Sequence, residues 1–314
     1  MKAEVLYMGE KGKIELRTIE IGEPGINEVL VEMKACGICT GDIYYFGTGE
    51  APRPFGHEGV GIVIKTSPGV LHVKPGDKVF CLHGGREMGQ LAKIPAASVI
   101  RIPDEVENYP LWVGEPITCI VNAIDQLHII PGSRIAIIGM GFMGLLNVQG
   151  FTHTLAGEIL AFDMLEDRLA LAQNFGVDKS YNTKNEDTEK VIEEIIATGG
   201  ADIVVEASGS EGGFKLANQI IKTAGTLSLF GCHRGIRQFD GDNWHSRGIR
   251  ILNTSPSCDT HYFERGIQAA KLMQKGVFNL KQLITHVSDY RNAQELFEIA
   301  LHKKDGYIKG VITF

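Results

Sequence analysis

The chain has 314 residues, 44% of them apolar and 22% charged, a length that suggests two domains with more apolar material than one small core needs. Acidic residues outnumber basic ones by 38 to 31, the net charge is -7 and no sustained basic run appears, so a nucleic-acid partner is excluded as the expected one. Six cysteines, at positions 36, 39, 81, 119, 232 and 258, are too sparse for a disulfide framework, and any special cysteine is a ligand or a nucleophile.

From Met1 to Lys13 no continuous apolar run offers a signal peptide. Short strands are expected at Val29 to Met33, Gly59 to Lys65, Lys78 to Leu82 and Ser98 to Ile102, punctuated by the turn pairs Pro24-Gly25, Pro68-Gly69 and Pro75-Gly76. This first region is irregular and mostly β. After Glu115-Pro116 an apolar run, Ile117 to Leu127, leads into alternating strands and helices. Buried strands are expected at Ile135 to Ile138, Glu158 to Phe162, Ile203 to Ala207 and Thr226 to Phe230. Helices are expected at Leu165 to Phe175, Thr188 to Ala197 and Gly213 to Lys222. Repeated βα units imply a parallel sheet. The most apolar stretch, Ile135 to Phe151, is broken by glycines and falls short of the roughly 20 residues of a membrane span, so the expectation is a soluble cytoplasmic protein with no membrane partner. From about Ser255 the pattern changes to helices at Tyr262 to Lys275 and Arg291 to His302 and a closing strand at Lys309 to Phe314. The α/β segment therefore interrupts a discontinuous first domain, with expected bounds 1–115, 116–254 and 255–314.

The 38 glycines are well above the usual ~7%, and several fall in motifs. Gly139-Met140-Gly141-Phe142-Met143-Gly144 matches G-x-G-x-x-G where a strand ends and a helix begins. Its first glycine turns the chain, its second lets the backbone approach a pyrophosphate, and its third lets the helix pack closely on the sheet. The next strand ends at Asp163, which is placed to accept hydrogen bonds from both hydroxyls of an adenosine ribose and to repel a 2′-phosphate, favouring NAD over NADP. Arg168 is either a solvated face residue or reaches that ribose. In the β-rich region, Cys36-Gly37-Ile38-Cys39 precedes Gly56-His57-Glu58-Gly59, and Glu115 follows. Thiolate, imidazole and carboxylate are donors that Zn²⁺ accepts, and their spread over separate loops suits a catalytic ion. Cys36 reads as a small buried residue.

Taken together, Ala35 to Cys39, Gly56 to Gly61, Val73 to Val79, Glu115-Pro116, the glycine loop and Lys309 to Phe314 resemble the zinc-dependent medium-chain dehydrogenase/reductases, the superfamily of alcohol, sorbitol and threonine dehydrogenases. The resemblance spans nearly the whole chain. It implies an α/β protein with a GroES-like β-rich catalytic domain and a Rossmann doubly wound parallel-sheet domain. It implies Cys39 and His57 as zinc ligands, Glu58 as third ligand or adjacent carboxylate, and Glu115 as a ligand or holder of the metal's water. Asp42 would orient the histidine. Lys309 would reach the pyrophosphate, and Ser208, Gly231 and Cys232, with Phe142 and Met143 of the loop, would line the cofactor site.

Three departures stand out. The lobe of four closely spaced cysteines is missing between Cys81 and Pro95, so the expected cofactors are NAD and one catalytic Zn²⁺, with no structural zinc. Gly41 and Tyr44 occupy the places where the family usually has a hydroxyl residue and often a histidine, which breaks the usual proton relay; Thr40, Tyr44, a neighbouring substrate hydroxyl or a water held by Glu115 are the substitutes. The segment Arg237 to Arg250 is unusually polar, and is either an oligomer contact or a substrate contact. Tyr44, Tyr45, Glu50, Arg53, His83, Arg86, His233 and Arg234 suggest a hydroxyl-rich small molecule. The expected reaction is hydride transfer between NAD and a secondary alcohol, a polyol, sugar or sugar derivative. The expected assembly is a homo-oligomer, dimer or tetramer, through the sheet edge near Arg250 to Asn253. A zinc-free quinone or enone reductase and a non-catalytic dinucleotide-binding protein are the alternatives.

Overall fold

The computed structural model describes residues 1–49, 53–82, 85–184, 187–254 and 260–314. Glu50, His83 and Cys258 lie outside the described residues. The chain divides into two compact units, Met1–Thr118 with His261–Phe314, and Cys119–Thr260. The divisions fall a few residues beyond the expected 115 and 254, the first of them inside a helix that starts at Glu115.

In chain order the first unit carries β1 (Lys2–Met8), β2 (Ile14–Glu20), β3 (Glu28–Gly37), α1 (Thr40–Thr48), β4 (Arg53–Pro54), β5 (Gly59–Thr66), β6 (Lys78–Cys81), β7 (Leu91–Pro95) and β8 (Val99–Arg101). Helix α2 (Glu115–Gln126) leads out of it. The second unit carries β9 (Arg134–Ile138), α3 (Phe142–Phe151), β10 (Glu158–Asp163), α4 (Glu166–Asn174), β11 (Lys179–Asn182), α5 (Thr188–Ala197), β12 (Ala201–Glu206), α6 (Glu211–Ile220), β13 (Ile221–Leu229), α7 (Gly241–Arg247) and β14 (Arg250–Asn253). The first unit is completed by α8 (Tyr262–Gln274), β15 (Ile284–Asp289), α9 (Ala293–His302) and β16 (Lys309–Thr313).

In the first unit a sheet of order β15-β16-β3-β5-β6-β8, with β7 also on β3, stands beside a smaller sheet β2-β1-β4. Strand β3 is central because it is apolar on both faces. Val29, Val31 and Met33 pack with Val63, Val79, Ile94 and Val99, while Leu30 packs with Ala3 and Leu91. A second core gathers Leu6, Ile38, Phe46, Phe55 and Phe297. The Phe297 ring lies 5.3 Å from Phe46 of α1 and 5.6 Å from Phe55. This aromatic contact seats both α1 and the stretch preceding His57, the two segments that carry the candidate ligands.

The second unit is one parallel sheet, β11-β10-β9-β12-β13-β14. Numbered from β9, its strands run 3-2-1-4-5-6, the doubly wound order. Ala136, Ile138, Leu160, Val204 and Leu227 form a core with Ile192, Ile195, Phe214 and Leu216 of α5 and α6. Helices on the faces explain why these strands read as continuous apolar runs rather than alternating ones. Among the described residues no helix is long and apolar enough to cross a membrane.

Candidate metal and dinucleotide sites

Cys39 caps the N-terminus of α1. Its sulfur accepts the Gly41 N–H at 3.4 Å and the Asp42 carboxylate accepts the Cys39 N–H at 3.0 Å. These reciprocal bonds satisfy backbone donors that a helix start leaves orphaned and fix the sulfur on a rigid frame. Asp42 is buried. Burial pushes its carboxyl up, and the charge of His57 and the Cys39 amide offset that in part. Asp42 thus acts on the histidine electrostatically while its direct bond is to Cys39.

The donor atoms of Cys39, His57 and Glu58 all lie within 4.8 Å of one another. Burial works against a charged His57, but its hydrogen bond with Cys39 and the charges of Cys39, Glu115 and Asp42 outweigh this and push it up to about 11. Soft sulfur with imidazole and carboxylate fits Zn²⁺ and not Mg²⁺ or Ca²⁺, and three protein donors leave a position open. Glu115, the fourth expected donor, stands outside that close group. Its Oε1 accepts the Tyr262 hydroxyl at 2.8 Å, a partner on α8 that the sequence reading missed.

Glu58 is also paired. Lys309 Nζ lies 2.5 Å from Glu58 Oε2 and donates to the Ile38 carbonyl at 2.9 Å, with both side chains under 5% exposed. Burial lowers the Lys309 ammonium, while Glu58, Cys39 and Tyr307 raise it to about 12. A Cβ at Gly37 would overlap the Glu58 carboxylate, so this glycine makes room for the pair. The ammonium expected at a pyrophosphate therefore has a role beside the metal ligands that the sequence reading did not contain.

Thr40 is exposed at the first position of α1. The Tyr44 ring sits edge-on to Tyr45 with centroids 5.6 Å apart, and the Arg53 guanidinium stacks 3.9 Å over Tyr45. At Gly41 a Cβ would meet only the Cys39 sulfur, at 3.8 Å, so no steric reason excludes a hydroxyl residue there.

In the second unit the glycine loop joins β9 to α3. Gly139 has φ +93°, and a Cβ on it would lie 2.8 Å from the Ser208 backbone. At Gly144 a Cβ would overlap the Gly139 carbonyl oxygen, while at Gly141 it would meet nothing within 4 Å. The first and third glycines are thus required by packing, and the second faces open space. That is the cradle a pyrophosphate needs, with Phe142 and Met143 opening the helix behind it. Asp163 accepts the Met140 N–H at 2.6 Å and those of Met164 and Leu165 at 2.8 and 3.0 Å. These use three of about four acceptor positions of a carboxylate, leaving one. Beside it runs a groove of about 420 Å³ lined by Gly139, Asp163, Thr183, Ser208 and Lys215. Arg168 does not line this groove; it is 7% exposed, with Nε 3.4 Å from Asp167, so it is not a solvated face residue.

At the end of β12, the fully buried Glu206 accepts the N–H groups of Ser208 and Gly209, each at 3.0 Å, and the Gly231 N–H donates to its carbonyl at 2.7 Å. Gly209 and Cys232 abut so closely that a Cβ on Gly209 would lie 2.8 Å from the Cys232 carbonyl oxygen. Ser208 on the Glu206 carboxylate, Gly231 on the Glu206 carbonyl and Cys232 against Gly209 are thus brought together at the end of β12. His233, expected to face a substrate, lies with Nε2 2.8 Å from Glu206. The polar segment after it packs onto its own unit. Trp244 donates to Asn218 at 2.5 Å and stacks 4.3 Å from Phe239, and Arg247 bonds the Asn218 and Ile221 carbonyls.

Two family models match the chain: an alcohol dehydrogenase GroES-like domain over residues 25–104 and a zinc-binding dehydrogenase over residues 143–272. Sorbitol dehydrogenase of Gallus gallus is 28% identical, with 91% of this chain and 90% of that protein covered. D-xylulose reductase of Saccharomyces cerevisiae is 27% identical, with 98% and 97% covered. A solved Escherichia coli oxidoreductase/dehydrogenase of unknown specificity superposes with a TM-score of 0.90 at 26% identity, covering 100% of this chain and 99% of that one.

Proposed function

The chain belongs to the zinc-dependent medium-chain dehydrogenase superfamily, and we propose that it is an oxidoreductase that uses NAD and one catalytic Zn²⁺ to interconvert a hydroxyl-rich secondary alcohol, a polyol, sugar or sugar derivative, with its ketone. The observation that carries this reading is the gathering of Cys39, His57 and Glu58 donor atoms within 4.8 Å in a chain that also holds an open glycine cradle before α3. The metal, when bound, supplies Lewis acidity at the substrate oxygen, and the dinucleotide supplies a two-electron acceptor.

The chain's own residues do the rest. Cys39, held by the α1 cap, presents sulfur, His57 presents imidazole under the charge of Asp42, and Glu58 presents a carboxylate steadied by Lys309. Glu115, hydrogen-bonded to Tyr262, serves as a further ligand or holds a water there. With Gly41 in place of a hydroxyl residue, the alcohol proton leaves through Thr40, Tyr44, that water or a neighbouring substrate hydroxyl. In the second unit the amides opening α3 hold phosphate oxygens, and the remaining acceptor position of Asp163 takes a ribose hydroxyl. The same negative charge repels a 2′-phosphate, so NAD is favoured. Polyols and sugars are the substrate class suggested by the relatives named sorbitol dehydrogenase and D-xylulose reductase. The edge strand β14, with Ile251 42% exposed, is the surface through which copies of the chain would pair.

The test is a panel of polyols, sugars, amino alcohols and simple alcohols, each assayed for NAD and NADP reduction with and without a chelator. The expected result is turnover of a polyhydroxylated substrate with higher kcat/KM for NAD, lost on chelation and restored by Zn²⁺. Less than one zinc per active chain, or activity that survives prolonged chelation, would sink the metal reading. A higher kcat/KM with NADP would sink the cofactor reading.

A further inference from the structure

Glu87, between β6 and β7, is a fully buried carboxylate (0% exposed) that the chemistry above does not use. Its backbone N–H donates to the Gly56 carbonyl at 3.3 Å, and the next amide, Met88, donates to the Phe55 carbonyl at 3.1 Å. Its side chain reaches past the intervening residues, and Oε2 accepts the Gly59 N–H at 2.6 Å. One residue therefore grips the chain on both sides of His57-Glu58.

The peptide group between Glu58 and Gly59 is held at its other end as well, because the Glu58 carbonyl accepts the Gly37 N–H at 3.1 Å. With both its N–H and its C=O bonded, the plane of that peptide cannot turn. The direction in which the Glu58 side chain leaves the backbone is then set. A carboxyl oxygen at this distance makes a short, well-formed hydrogen bond to the amide. Glycine at position 59 is what admits it, since a Cβ there would lie 2.6 Å from Glu87 Oε2 and overlap the Met33 methyl. A fully buried acid is uncommon unless something needs it, and the amide it serves belongs to the segment carrying two of the three candidate ligands.

We propose that Glu87 is a positioning residue of the metal site, bracketing His57-Glu58 so that imidazole and carboxylate converge with the Cys39 sulfur. The proposal rests on the zinc reading above. It predicts that loss of the Gly59 bond loosens the ligand set without dismantling the β-rich unit around it.

The metal-free full chain, titrated with Co²⁺ and followed by its ligand-field and sulfur-to-metal absorption, provides the test, with circular dichroism and thermal unfolding recorded in parallel. Glu87→Ala removes the acceptor, and Glu87→Asp keeps the carboxyl group but withdraws it by one methylene. Both are expected to weaken Co²⁺ binding by about 10- to 100-fold, the range typical of groups that orient metal ligands, and to alter the absorption bands. Glu87→Gln keeps an oxygen that accepts the same N–H, and is expected to restore most of the affinity and the wild-type spectrum. Wild-type affinity and bands in Glu87→Ala and Glu87→Asp would overturn the proposal, as would Glu87→Gln being damaged as badly as Glu87→Ala. Should the alanine variant not fold, the comparison of Glu87→Asp with Glu87→Gln decides. Absence of Co²⁺ uptake by the wild-type chain would instead refute the zinc reading itself.

Discussion

Lys309 and Glu58 form an ion pair inside the protein, both side chains under 5% exposed. Removing two charges from water costs several kcal/mol each, and their attraction compensates only while both are present. Lys309→Met therefore leaves a buried carboxylate without its counter-charge, and the expected loss in unfolding free energy is about 3–5 kcal/mol. The double variant Lys309→Met/Glu58→Met removes both charges and is expected to recover much of that loss. Urea unfolding of the two single variants and the double variant measures the coupling. Additive losses would show that the pair is not an energetic unit. The pairing lies on residues far apart in sequence, and no local pattern announces it. A lysine near the C-terminus was legible only through the resemblance, which suggested a phosphate rather than a carboxylate as its partner.

At the scale of elements, the glycine loop separates packing from binding. At Gly144 a Cβ would overlap the Gly139 carbonyl oxygen, whereas at Gly141 it would meet nothing within 4 Å. Gly144→Ala is thus an overpacking change, expected to cost roughly 1–3 kcal/mol of stability. Gly141→Ala is expected to leave stability within about 0.5 kcal/mol of wild type while weakening NAD binding at least tenfold, because its methyl fills the space a pyrophosphate would approach. Thermal unfolding and NADH fluorescence titration distinguish the two effects. Equal NADH affinity in Gly141→Ala and wild type would show that the open space is not the phosphate cradle. This loop was legible because its chemistry is local: strand, glycines, helix and acid follow one another at short spacings. The hairpin β1-β2 was not, since β2 is exposed from Leu16 to Glu20 and lacks the buried alternation that marks a strand. Helix α1 was missed for a related reason. Its sequence, TGDIYYFGT, combines two glycines with aromatic residues, poor helix formers by themselves, and its helicity depends on the Cys39 cap and the buried Phe46.

Across the molecule, the proposed cofactor groups and a set of ion pairs occupy different ends of the same parallel sheet. The glycine loop, Asp163 and Glu206 all sit at the carboxyl ends of strands. The opposite ends carry a ladder of charges, one near the start of each of five neighbouring strands: Lys179, Glu158, Arg134, Asp202 and Lys222. Glu158 lies 2.5 Å from Arg134 and 2.9 Å from Lys179. Asp202 accepts the Arg134 N–H at 2.7 Å and pairs with Lys222. The Lys179 hydrogen bond, helped by Arg134, holds the Glu158 carboxyl below its usual range. Burial raises Asp202, but Lys222 and the Arg134 amide more than offset this and leave it lowered. A carboxylate whose folded pKa is depressed contributes stability that is fully present above the unfolded value of about 4 and disappears as pH falls through the folded value. The second unit should accordingly lose thermal stability between about pH 5 and pH 3. Each pair is partly solvated, so its individual contribution is small and is screened by salt. Glu158→Gln/Asp202→Asn is expected to lower Tm at pH 7 by a few degrees and to flatten its decline toward pH 3, with the difference from wild type shrinking at high ionic strength. Calorimetric scans across that window test this: a wild-type slope in the double variant would assign acid sensitivity elsewhere and leave the ladder without a role in holding the strands together.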